Sequence, residues 1–118
     1  MAEVQGKSAS AEEGRVAQAL DKLGHSYDFQ YQVFTITGVK GAYVLDFLVF
    51  TTVPFSTPLE VLGEYWHSGE MGRDDQLRME RIEFELGPNI NETVMIWGSE
   101  AQTQEDTDEV VRRKVGRA

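Results

Sequence analysis

Between Ala42 and Phe50 the chain reads AYVLDFLVF, nine residues broken by a single charged position, Asp46. A membrane span needs about 20 apolar residues, so this run is far too short for one. It has the length of a β-strand. A strand apolar at successive rather than alternate positions is covered on both faces, so the run sets a sheet between two layers. With 118 residues there is enough chain for one domain and one core.

The remaining elements follow from local patterns. Ser10-Ala11-Glu12-Glu13 has capping-box spacing, and Val16, Leu20 and Leu23 recur at helical intervals, which predicts a helix over 10–23 ended by Gly24. Residues 1–9 are polar and read as a flexible tail with no signal-peptide stretch. Tyr27, Phe29, Tyr31 and Val33 alternate with polar residues, the period of a strand, and Gly38–Gly41 reads as a turn. A loop holding Pro54 and Pro58 leads to a short strand over 59–62, then a charged helix over 73–86 with Met79, Ile82 and Leu86 inward. Thr93–Trp97 is a fourth strand, and 105–115 a last helix with Val110, Val111 and Val115 as its apolar side. The order α-β-β-β-α-β-α predicts a single α/β (α+β) domain over 1–118, a mixed sheet of about four strands flanked by helices.

Composition removes several function classes. Cysteine is absent, which excludes disulfides, thiolate metal sites and cysteine nucleophiles. The formal charge of −9 splits into −2 over residues 1–59 and −7 over 60–118. Nucleic acid bound through the overall field would need the opposite sign, so such a role requires a local basic face, a bound cation or a basic partner. No membrane partner is expected, and the location expected is cytoplasmic.

Asp46 carries the most information. A carboxylate inside an apolar strand must be paired, protonated or metal-bound, unless it reaches solvent or a backbone donor at its pleat position. Glu60, on the next strand, can converge with it, and two like charges that close repel unless a cation lies between them. Oxygen ligands of this kind suit Mg²⁺, which takes one or two carboxylates and keeps several waters. The alternative is a Glu60 unrelated to Asp46 at a strand start. His67, shortly after that strand, is suited to proton transfer near neutral pH. His25, in the turn after the first helix, receives no role.

The series Glu13, Asp46, Trp66-His67 and Asp75 resembles the Glu, Asp, X-His, Asp pattern of the EDxHD homing endonucleases, relatives of the very-short-patch mismatch-repair endonucleases in the PD-(D/E)XK nuclease superfamily. The phrase LEVLGEYWH and the charged helix after it are similar to small domains of the same group, and the resemblance runs from about Ser10 to Trp97. It implies a restriction-endonuclease-like core and Mg²⁺-dependent (or Mn²⁺-dependent) hydrolysis of DNA. Asp46 would be the central metal ligand, with Glu60 at the second acidic position and the Val61 carbonyl completing the set. Glu13, or Glu12 with the helix phase shifted by one, would hold a metal-bound water. His67 would be the general acid or base, Asp75 would orient it or a water, and Arg78 would meet a phosphate. Tyr65 and Trp66 would press on the base stack.

Leu62 stands where most of the superfamily has Lys, which places more of the mechanism on His67. The one compact basic cluster, Arg112-Arg113-Lys114 with Arg117, is a candidate DNA contact, although cations at a helix C-terminus also favour the helix dipole. Cutting both strands would call for a homodimer or successive nicks, and a basic DNA-binding partner would offset the acidity. Two other readings stand beside the nuclease: a non-catalytic structural or interaction subunit on the same fold, as in a phage or mobile-element assembly, and an acidic mimic of nucleic acid.

Overall fold

The computed structural model describes residues 2–33, 43–52, 54–63 and 73–118. Two short strands, β1 (Ala2–Val4) and β2 (Lys7–Ala9), precede helix α1 (Ala11–Lys22), and strands β3 (Ser26–Val33), β4 (Tyr43–Phe50) and β5 (Ser56–Leu62) follow. Helix α2 (Arg73–Leu86) leads to β6 (Val94–Trp97), a 3-10 turn at Gly98–Glu100 and helix α3 (Gln104–Lys114). The fold is mixed α+β, with a four-stranded sheet in the order β3-β4-β5-β6 and the β1-β2 hairpin apart from it. Within the sheet β3, β4 and β5 run antiparallel, and β5 and β6 run parallel. That parallel pairing is why the chain needs α2 as a crossover between β5 and β6.

The covered strand is β4. Its neighbours Phe47 and Leu48 point into different cores. Phe47 joins Phe29, Val49, Leu59 and Ile96 beneath Val16 and Leu20 of α1 and Val111 of α3, whereas Leu48 joins Leu45 and Val33 beneath Met79 and Ile82 of α2. Phe47 also lies 5.0 Å from Phe29 and 5.6 Å from Tyr27, ring centre to ring centre. Truncating a fully buried ring of this kind to Ala costs about 3–5 kcal/mol.

Helix α1 starts as its capping box requires. The Ser10 hydroxyl accepts from the Glu13 amide at 3.1 Å, and the Glu13 carboxylate accepts from the Ser10 amide at 2.8 Å. Both helix bounds of α2 agree with the sequence pattern, and Met79 and Ile82 are buried as expected.

Three expectations need correction. Residues 2–9, read as a tail, form a hairpin whose turn has Gln5 at φ 50° and Gly6 at φ 78°. Positive φ at both central residues is the turn type that fits the twist of a hairpin. Gln5 then anchors the hairpin, its amide donating to the Tyr27 carbonyl at 2.7 Å and accepting from the Phe29 amide at 2.8 Å. The third strand starts at Ser56, not Leu59, so Pro58 lies inside it. Proline is tolerated there because the ladder to β6 begins only at Leu59. The last helix begins one residue early, with Thr103 capping it through a 3.1 Å bond from the Asp106 amide. The turn expected at Gly38–Gly41 lies outside the described residues. Among the described residues no helix is long and apolar enough to cross a membrane.

Candidate functional site

The β4–β5 ladder pairs Phe47 with Leu59, so one step further along, Asp46 comes opposite Glu60. Leu45 and Phe47 on either side of Asp46 are fully buried, Asp46 is half-buried, and Glu60 is only 3% exposed. The Val61 amide donates to Asp46 Oδ2 at 2.8 Å. The Glu60 carboxyl faces Asp46 across the ladder, close enough to act on it through a side-chain hydrogen bond and through its charge. Two carboxylates are both acceptors, so that bond requires a proton on one of them. Burial, then the hydrogen bond and negative charge of Glu60, push Asp46 up to about 8, against the opposing pull of the Val61 amide and the Arg78 cation. Near neutral pH the pair therefore holds a proton.

Opposite Asp46, β3 is distorted. The paired positions of β3 and β4 pass from Phe29–Phe47 to Tyr31–Leu45, and Gln30 between them has φ 53°. A left-handed non-glycine residue inside a strand is uncommon, and here the register continues unbroken on either side of it.

Arg78 of α2 closes the cluster from the helix side. Its Nη1 donates to Glu60 Oε1 at 2.9 Å, and its Nη2 donates to the carbonyl oxygen of Val44. One guanidinium thus ties α2 to the carboxylate of β5 and the backbone of β4. The resemblance gave Arg78 a phosphate. Here it is a partner of Glu60. No local pattern announces that role, since it depends on how α2 lies across the sheet.

The other candidates are placed differently. Val61 meets Asp46 through its amide N–H, where the resemblance implied its carbonyl facing a metal. The Glu13 carboxylate is engaged in the cap of α1, and Glu12 lies 3.8 Å from Arg15. Asp75 is half-buried in the first turn of α2. Among the described residues no three His, Asp or Glu side chains gather into a metal-binding group, so neither Glu13 nor Asp75 joins Asp46 and Glu60 in one. Tyr65, Trp66 and His67 lie outside the described residues.

The basic cluster is largely committed to acids of the same chain. Arg112 pairs with Glu109 at 2.6 Å, Arg113 with Glu100 at 3.6 Å, and Lys114 with Glu100 at 2.9 Å. All three occupy the last turn of α3, where cations also favour the helix dipole.

A hard divalent cation fits the Asp46–Glu60 pair in donor type and number. Both groups offer carboxylate oxygens, and Mg²⁺ or Mn²⁺ takes one or two of these and completes its shell with water. Such a cation would have to displace the shared proton and compete with Arg78 for Glu60. No protein-family model, no curated protein and no solved structure matches the chain.

Proposed function

We propose that this chain is a Mg²⁺- or Mn²⁺-dependent DNA endonuclease of the PD-(D/E)XK type, with Asp46 and Glu60 as its metal-holding acids. The observation that carries this reading is the carboxyl pair on adjacent strands, Glu60 buried and Asp46 half-buried beside it, an arrangement that favours a bound proton or a cation. The order α1-β3-β4-β5-α2-β6 supports it, being the element order that the resemblance implies for the nuclease core. When bound, the metal supplies charge that offsets the scissile phosphate and lowers the pKa of a water.

The protein's own residues do the rest. Asp46 is oriented by the Val61 amide, and Glu60 by Arg78. His67 moves a proton at the attacking or leaving oxygen, with Asp75 orienting it, and Glu12 or Glu13 positions a water. Tyr65 and Trp66 press on the bases. With the basic cluster paired internally, binding to DNA relies on the cation at the acid pair and on a second copy or a basic partner. The working compartment is the cytoplasm, that of a host cell for a phage-encoded chain.

One observation favours a second reading. The Arg78–Glu60 ion pair neutralises the second acid with a protein cation, as a non-catalytic structural subunit on this fold would. Nicking of supercoiled plasmid, together with mismatched and branched duplexes, across a Mg²⁺ and Mn²⁺ series separates the two. The nuclease reading expects cutting that Asp46→Asn abolishes and that His67→Ala slows by roughly 10²–10⁴-fold. Wild-type protein that cuts none of these substrates at any metal level establishes the structural reading instead.

A further inference from the structure

The outer face of α2 is not the polar surface that an amphipathic helix usually turns to water. Met79 and Ile82 are buried against the sheet, whereas Leu77 and Phe84 are 52% and 63% exposed, the two most exposed large apolar side chains among the described residues. They lie two turns apart and within about 20° of each other around the helix, on the side away from Met79 and Ile82. One exposed apolar side chain is ordinary, but two in line form a stripe that gains by being covered.

Opposite charges flank the stripe. Successive residues stand about 100° apart around a helix, so Glu80 lies on one side of the stripe and Arg81 on the other. Both are exposed. Glu80 has no cation partner among the described residues. Arg81 is 2.9 Å from Glu85 and its guanidinium carbon is 5.7 Å from the Phe84 ring centre, yet its side chain remains 46% exposed. A guanidinium carries more N–H donors than these contacts use, so Arg81 can meet a second carboxylate.

This face is complementary to itself. When two α2 helices meet face to face and run parallel about a two-fold axis, the Glu80 flank of one lies against the Arg81 flank of the other. Two Glu80–Arg81 pairs then enclose a Leu77–Leu77 and a Phe84–Phe84 contact between the copies. Antiparallel pairing on the same stripe does the reverse, setting Arg81 against Arg81 and Glu80 against Glu80. Arg73, a turn before Leu77, lies where helices crossing at an angle diverge. A chain of charge −9 repels its own copies through its overall field. Among the described side chains of α2 the exposed charges are Arg73, Glu80 and Arg81, so the acidity does not close this face.

We infer that α2 docks a second copy of this chain, the two helices parallel, through Leu77 and Phe84, with Glu80 paired to Arg81 across the interface. Arg78 lies toward the sheet and keeps its bond to Glu60, so the dimer is independent of the Asp46–Glu60 reading and needs no metal. Helices of 14 residues, about 21 Å long, cover less than a standard interface, so the dimer is weak and reversible.

The test is sedimentation velocity of the full chain in EDTA, at about 0.15 M salt and from about 5 to 500 µM protein. The expected result is a monomer–dimer equilibrium that shifts with concentration. Phe84→Ser, at an exposed position, should weaken association by about tenfold or more while the melting temperature of dilute protein holds. Glu80→Arg should weaken it by a similar factor, and the double variant Glu80→Arg/Arg81→Glu should recover most of that loss. Cross-linking reads the direction. The chain has no cysteine, so Leu77→Cys carries a single thiol. Parallel helices bring the two copies of that thiol to the same height, within disulfide reach, and the variant should form a covalent dimer by itself under mild oxidation. Three results overturn the assignment: monomer at every concentration, a dimer indifferent to Phe84→Ser or to Glu80→Arg, or a mixture of Leu77→Cys with Phe84→Cys that cross-links faster than either variant alone.

Discussion

Replacing Asp46 by Asn tests the shared proton directly. Asn keeps the volume, accepts from the Val61 amide through its oxygen, and donates to Glu60 through its nitrogen, so it imitates protonated Asp46 permanently. In the unfolded chain Asp46 titrates near 3.8, and in the folded chain it is raised to about 8. Between those values the folded state holds a proton that the unfolded state has released. A raised pKa makes stability fall as pH rises, by about 1.4 kcal/mol per unit for one proton. The contribution is fully present below 3.8 and is lost by the time pH passes 8. Asn has no proton to lose. The stability difference between variant and wild type should be near zero at pH 4 and grow to several kcal/mol in favour of the variant at pH 8. Urea unfolding from pH 4 to 9 measures it, and with a slope of about 1–3 kcal/mol/M the midpoint should move by at least 1 M at pH 8. Acids remote from the pair cancel between the two proteins, so the difference isolates the Asp46–Glu60 pair. Parallel pH curves, or an Asn variant less stable than wild type at pH 8, would refute the proton-sharing pair.

Mg²⁺ added at pH 7 should release close to one proton per ion bound, read as a dependence of calorimetric heat on the ionisation enthalpy of the buffer; buffer-independent heat argues against a metal at Asp46. Arg78→Ala leaves Glu60 without its cation and should cost about 2 kcal/mol, below the usual range for a buried pair because the arginine is partly exposed. The same variant should gain more melting temperature from Mg²⁺ than wild type does, and equal gains would show that Arg78 and metal do not compete. Gly14→Ala would bring a new Cβ to 2.6 Å from Ala2 Cβ, so calorimetry should find a loss of about 1–3 kcal/mol despite better helix propensity, recovered in the Ala2→Gly double variant. Ser10→Ala should cost about 1 kcal/mol through loss of the α1 cap, measured by thermal unfolding.

Much of the scaffold was legible because local rules and tertiary packing agree. Ser10 and Glu13 announce a cap and form one, and the run around Asp46 announces a strand between two cores and becomes β4. The pairing of Asp46 with Glu60 was legible for the same reason, since it follows from two neighbouring strands. Residues 2–9 were misread because three-residue strands are too short to show a period, and their order comes from Gln5 gripping β3. Pro58 hid the start of β5, because only the offset of β6 makes a proline acceptable there. The Arg78–Glu60 contact and the left-handed backbone at Gln30 were both invisible in the sequence. One depends on the crossing of α2 over the sheet, and the other is a backbone angle that no side-chain pattern encodes.

The grip of Gln5 on β3 also bears on how copies of this chain can associate. β3 and β6 are the outer strands of the sheet, and an outer strand is where a second polypeptide adds by backbone pairing. On β3, Gln5 occupies the Tyr27 carbonyl and the Phe29 amide, and Lys7 takes the Phe29 carbonyl at 3.0 Å. On β6, only four residues long, Lys114 holds the Met95 carbonyl at 2.7 Å. Each border is thus blunted by side chains rather than by another strand. Self-assembly by a sheet continuing from copy to copy is disfavoured along these stretches, and a functional dimer would meet through helices or loops. Removing residues 1–6 should do more than cost stability: it would uncover backbone at Tyr27 to Phe29 and make the protein prone to aggregate.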